Sequence, residues 1–85
     1  MRNLQPGDRA FIVELARRVR LNRRYQELTQ QQVGDRAGVS RSFVAVFEAG
    51  QGGIDVVTLR RIAQALGLSL PALVDVPTPG EEGSQ

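Results

Sequence analysis

The chain contains neither cysteine nor histidine. Without cysteine there is no disulfide framework and no thiolate chemistry. With histidine missing too, the usual transition-metal ligands and the common general base near neutral pH are gone. No apolar run approaches the ~20 residues that span a bilayer, and the N-terminus lacks the apolar core of a signal peptide. No convergent set of acid, base and nucleophile stands out, so catalysis is not expected. What remains is the expectation of a soluble cytoplasmic protein with no cofactor and no bound metal.

Lysine is absent as well: all eleven basic residues are arginine, and none lies beyond Arg61. Two of the nine acids, Glu81 and Glu82, fall in the last few residues. Residues 1–75 therefore set eleven arginines against seven acids, a net of +4, and this basic body favours a polyanionic partner. With 85 residues there is room for one small domain, which buries only about 60% of the surface its unfolded chain exposes.

Residues 1–7 show no periodic pattern and are expected to form a loose arm. Gly7-Asp8 supplies an N-cap ahead of Phe11, Ile12, Leu15, Ala16 and Val19, whose helical spacing predicts a first helix over 9–24. Its other face carries Arg17, Arg18, Arg20, Arg23 and Arg24, and the apolar phase falters at Leu21-Asn22, where the helix is expected to loosen or to be capped early. Thr29 caps a second helix over 30–37 that turns Val33 and Ala37 inward. Gly34 lies between them; a helix-interior glycine costs about 0.5–1 kcal/mol against alanine, which predicts a close crossing by the third helix.

Gly38 is placed for the positive φ of a helix end, Val39 anchors the turn, and Ser40 caps a third helix over 41–49. There Val44 and Phe47 point inward, leaving Arg41, Ser42, Ala45 and Val46 outside. Gln51-Gly52-Gly53 is a flexible link with bare backbone amides that suit either an ordinary loop or a close approach to phosphate. Asp55 caps a fourth helix carrying Val56, Leu59, Ile62, Ala63 and Leu66, closed by Gly67. Ser69 caps a short fifth, from Leu70 to about Asp75, with Pro71 in its first turn. Residues 76–85 have nothing to bury and are expected to be disordered. The predicted architecture is a compact all-α, five-helix domain over 8–75, with a helix-turn-helix at about 30–49.

Leu28-Thr29-Gln30, Gly38-Val39-Ser40, Glu48-Ala49-Gly50, Leu59, Ile62-Ala63 and Ala65-Leu66-Gly67 together resemble, in order and spacing, the Cro/repressor-like (Xre-type) helix-turn-helix family. The likeness extends from about Leu15 to Val74 and implies a lambda-repressor-like fold. Leu15-Ala16-Arg17-Arg18-Val19-Arg20, Phe43-Val44-Ala45 and Glu48-Ala49-Gly50-Gln51-Gly52 further resemble the DNA-binding half of regulators fused to a shikimate-kinase-like sensor, here expected in stand-alone form.

The resemblance implies double-stranded DNA as partner. It gives Gln30 a backbone phosphate and places Arg41 and Ser42 where the family reads base edges; arginine can grip guanine with two hydrogen bonds. Phe43 and Gln51 join the expected contact set. Val46 departs from the family's long polar residue and suits a thymine methyl group or a protein partner. Glu48 is implied to pair with Arg23 as an internal brace. Glu27 stands where a glycine is common and Ile54 where a proline is common. A homodimer on a palindromic operator is expected, with Leu70, Leu73 and Val74 at its interface. The function expected is therefore a sequence-specific transcriptional regulator, most simply a repressor. The alternative is a protein-interaction domain of the same fold, antitoxin-like or a coregulator, whose contact surface is Phe43 and Val46.

Overall fold

Four of the five helices begin where a side-chain oxygen can satisfy amides that have no intrahelical acceptor. Thr29, Ser40, Asp55 and Ser69 accept from the N–H groups of Gln32, Phe43, Thr58 and Ala72. At Thr29 the exchange is reciprocal, because the Gln32 side chain takes the Thr29 amide at 2.8 Å. The computed structural model describes residues 3–75. Its helices are α1 (Asp8–Tyr25), α2 (Gln30–Ala37), α3 (Arg41–Glu48), α4 (Val56–Ala65) and α5 (Leu70–Val74), with no strand among the described residues. The tail expected to be disordered lies outside that span.

The helices end on left-handed backbone where the sequence places glycine: Gly38 has φ 76°, Gly50 75° and Gly67 74°. The connection after α1 is different. Glu27 adopts φ 58°, a region that disfavours side chains bearing a Cβ, at the position where the family commonly has glycine. The start of α1 departs from expectation too. Gly7, not Asp8, is the N-cap residue, at φ 95° and with no side-chain cap, and the Asp8 carboxylate accepts from the Gln5 amide instead.

Val19, Val33, Val44, Ile62 and Leu73, one from each helix, are fully enclosed and form the centre of the core. Fully burying a side chain of this kind contributes about 1.5–3 kcal/mol. α2 lies against both α3 and α4, while α1 runs across α3 and α5.

Three expectations are corrected. α1 does not falter at Leu21-Asn22: it runs unbroken to Tyr25, and Asn22 donates back to the Arg18 carbonyl at 2.9 Å. The inward position one turn beyond Val19 is filled by buried Arg23, so the stripe continues with an arginine in place of an aliphatic residue. Gly34 is indeed a close-approach site, but what meets it is the turn. A Cβ there would lie 2.7 Å from the Val39 carbonyl oxygen and 3.4 Å from the Ser40 backbone, ahead of the first residue of α3. Leu73, expected at a dimer interface, has no exposed surface within the protomer, because the short α5 has to close the core from that side.

Candidate nucleic-acid interface

α3 is amphipathic in its eight residues. Val44, Phe47 and Glu48 are buried, whereas Arg41, Ser42 and Val46 stand exposed. Phe43 is half-buried and packs against the core, and Gln51 is exposed just beyond the helix. Arg41, Ser42 and Val46 are thus presented along an exposed helical surface. The Gly38 turn and the tight contact at Gly34 fix the entry of α3 beside α2.

The carboxylate of Glu48 faces inward on the same helix. Arg23 grips it with two hydrogen bonds, Nε to Oε2 at 2.7 Å and Nη2 to Oε1 at 2.9 Å. The third guanidinium nitrogen of Arg23 donates to the Leu28 carbonyl at 2.8 Å. The hydrogen bonds to Glu48 hold the Arg23 pKa above its ordinary value, against the opposing effect of burial. Gln30, the first residue of α2, also donates from Nε2 to Glu48 Oε1, at 3.2 Å. One carboxylate therefore ties α1, α2 and α3 together, through a bidentate contact from Arg23 and a single hydrogen bond from Gln30.

Other arginines donate to main-chain carbonyls. Arg9 Nη1 donates to the Gly50 carbonyl at 2.9 Å, and Arg20 Nη1 to the Glu48 carbonyl at 3.0 Å. On another side of α1, Arg18 reaches the Ala72 and Asp75 carbonyls at the end of α5. Arg36 donates to Ala65, and Gln26 to Leu66, at the end of α4. The arginines of this chain thus repeatedly close the carbonyl ends of helices, where a positive charge is favoured. A signal for one of these was available. Arg9 and Arg20 are eleven residues apart, close to three whole helical turns, and so share a face. Among the described residues no group of three or more acids, histidines or cysteines is placed to hold a metal ion. No helix there is long and apolar enough to cross a membrane.

This pair of capped helices, joined through a left-handed glycine and held at close range, is the frame of a helix-turn-helix. Residues 14–76 match the model of the helix-turn-helix domain family, most of the chain. The chain belongs to the Xre-type helix-turn-helix regulators. The HTH-type transcriptional regulator y4dJ of Sinorhizobium fredii is 42% identical over 60 residues, which cover 71% of this chain and 74% of that protein. The restriction-modification controller protein C.AhdI of Aeromonas hydrophila superposes with a TM-score of 0.73 at 30% identity, over 75% of this chain and 97% of its own. A third likeness shows that the domain also occurs as part of a larger protein. Hydroxypropylphosphonic acid epoxidase of S. wedmorenis matches with a TM-score of 0.66 at 28% identity, over 73% of this chain but 33% of the enzyme.

Proposed function

We propose that this helix-turn-helix regulator binds double-stranded DNA sequence-specifically as a dimer, laying α3 in the major groove to repress transcription in the cytoplasm, and that it acts by binding and not by catalysis. The observation that carries the reading is the outer face of α3, where Arg41 and Ser42 are exposed at the N-terminal end while the opposite face is buried. In a helix-turn-helix the N-terminal residues of the second helix meet base edges. An arginine in that place discriminates guanine by about 1–3 kcal/mol through two hydrogen bonds. Val46, one turn further on, suits a thymine methyl group, and Gln51 a phosphate at the exit.

Gln30 takes the phosphate at the start of α2. Its amide nitrogen carries two hydrogens, and the bond to Glu48 uses one. Glu48 would then aim the amide while Arg23 neutralises the carboxylate. For the dimer, Leu70 and Val74 are the members of the expected α5 set that keep partial exposure, and they carry the interface without Leu73. Two copies would read half-sites about one helical turn, roughly 34 Å, apart.

A second reading has one observation in its favour: Val46 is 49% exposed on the face that would meet the DNA. A protein-interaction domain would use that valine with Phe43. Binding to genomic DNA fragments across a salt series separates the two. For a DNA reader, affinity falls steeply with salt, Arg41→Ala blurs the preferred sequence, and Gln30→Ala weakens all sequences alike. Absence of binding at low salt moves the assignment to the interaction domain. Sedimentation of Leu70→Glu beside wild type tests the dimer surface, and an unchanged mass places it elsewhere.

A further inference from the structure

We propose that Arg9 and Arg20 are positioning residues for DNA reading: together they clamp the carbonyl end of α3 and set the angle at which its outer face is presented. The inference rests on α3 being the reading helix. α3 has eight residues, about 12 Å at 1.5 Å per residue, so few of its side chains can reach bases and a small tilt moves all of them. Its entry is fixed by the contact of Gly34 with the Val39–Ser40 backbone. At its exit α2 contributes the Gln30 side chain, which donates to the Glu48 carboxylate.

At the exit, two guanidinium groups of α1 converge on successive points of the same backbone. Arg20 holds the Glu48 carbonyl at 3.0 Å and Arg9 the Gly50 carbonyl at 2.9 Å, both partly buried. Between these arginines in sequence, Val13 supports the same turn: a Cβ on Gly50 would sit 3.3 Å from Val13 Cγ2 and 3.6 Å from its Cα. Arg23 adds the bidentate grip on the Glu48 side chain. The end of α3 is therefore held by side chain and main chain at once.

The chemistry gives the clamp a second effect. The carbonyl end of a helix carries roughly half a negative charge, which a neighbouring DNA backbone would repel. Arg20, donating to the Glu48 carbonyl at the helix end, and Arg9, donating to the Gly50 carbonyl just beyond it, place two cations where they offset that charge. Arg9 and Arg20 then contribute to recognition through α3 and not through a phosphate.

Three duplex measurements test this on the full chain. The probes are a duplex that the wild type selects from a random oligonucleotide pool and a shuffled duplex of the same length. Each variant is assayed well below its melting temperature. Arg20→Met is expected to lose about tenfold in affinity for the selected duplex, the equivalent of one charge-assisted hydrogen bond. Its binding to the shuffled duplex and its dependence on salt should be little changed. Arg20→Lys, which keeps the charge and a donor, should restore part of the discrimination. Arg9→Met provides the same readout if Arg20→Met does not fold. A merely structural role would lower the melting temperature and leave the discrimination ratio alone, which overturns the proposal. So does an equal loss on both duplexes with a salt slope smaller by about 0.9, the mark of a direct phosphate contact. A wild type that selects no duplex fails at the earlier step, the DNA-reading assignment itself.

Discussion

The two ends of α3 are fixed by opposite means. At the entry the decisive feature is a missing atom: Gly34 has no Cβ, and the Val39 carbonyl occupies the space one would need. At the exit the decisive feature is charge, with Arg23, Arg20 and Arg9 of α1 meeting the Glu48 carboxylate, the Glu48 carbonyl and the Gly50 carbonyl. Steric contact gives an end that cannot move closer but does not respond to salt or pH. Hydrogen-bonded charge gives a directional hold that is strong only while both partners remain. A helix that has to present a few side chains in one orientation is served by having one of each.

Breaking the charged end should have the larger effect. Glu48→Ala leaves the buried Arg23 guanidinium with the Leu28 carbonyl as its remaining partner, and removing one member of a buried pair costs about 3 kcal/mol or more. In a domain of this size that lowers the melting temperature by well over 10 °C, read by circular dichroism, since each kcal/mol shifts it about 4–8 °C. Replacing both partners with apolar residues, as in Arg23→Met with Glu48→Leu, should recover most of the loss. An unchanged melting temperature for Glu48→Ala would show that the pair does not hold the exit. Breaking the steric end comes second. Gly34→Ala gains up to about 1 kcal/mol in helix propensity but forces a backbone carbonyl away, at a cost of about 1–3 kcal/mol. The expected net is a loss of up to about 2 kcal/mol in chemical denaturation. A gain would mean that the Val39 turn can give way.

The steric end was legible in the sequence and the charged end only in part. Thr29, Gly38 and Ser40 act through their own backbone and its near neighbours, so residue type alone predicts the cap, the turn and the next cap. Gly34 marks a close approach by its residue type, but the group that meets it is the Val39 turn and not α3, because a missing Cβ does not say what fills the space. Arg23 and Glu48 are 25 residues apart and came together only through family resemblance. Arg9, Arg18, Arg20 and Arg36 donate to main-chain carbonyls, which carry no residue type, so no pattern of side chains could name those partners. Leu73 was misplaced for a related reason: how much apolar surface a short helix leaves over depends on how deep it sits.

The connection that leads into α2 offers a stabilising change of smaller size. Glu27 holds φ 58° on the path from Arg23 to Thr29. Glu27→Gly removes the steric penalty of that conformation while adding freedom to the unfolded chain. The balance should favour the variant by about 0.5–1 kcal/mol in denaturant unfolding. A loss would show that the Glu27 side chain contributes contacts that outweigh its strain.

The smallest expected effect separates the two ends by pH. The caps of α2, α3 and α5 are hydroxyls, Thr29, Ser40 and Ser69, which do not titrate, whereas the cap of α4, reached through the loop that leaves the charged end, is the carboxylate of Asp55. Hydrogen bonds from the Thr58 amide and then the Thr58 hydroxyl hold its pKa below the ordinary aspartate value of 3.8. A depressed folded pKa means that the folded protein binds the proton less readily than the unfolded chain. The stabilisation is therefore complete above the unfolded value and is lost as pH falls from 3.8 through the lower folded value. Amide exchange at Thr58 should accelerate in that acid window relative to Gln32 and Phe43, after correction for intrinsic rates. Asp55→Asn keeps a good cap that cannot titrate, so it should abolish the difference. If the acid response persists in Asp55→Asn, its source is a group other than the α4 cap.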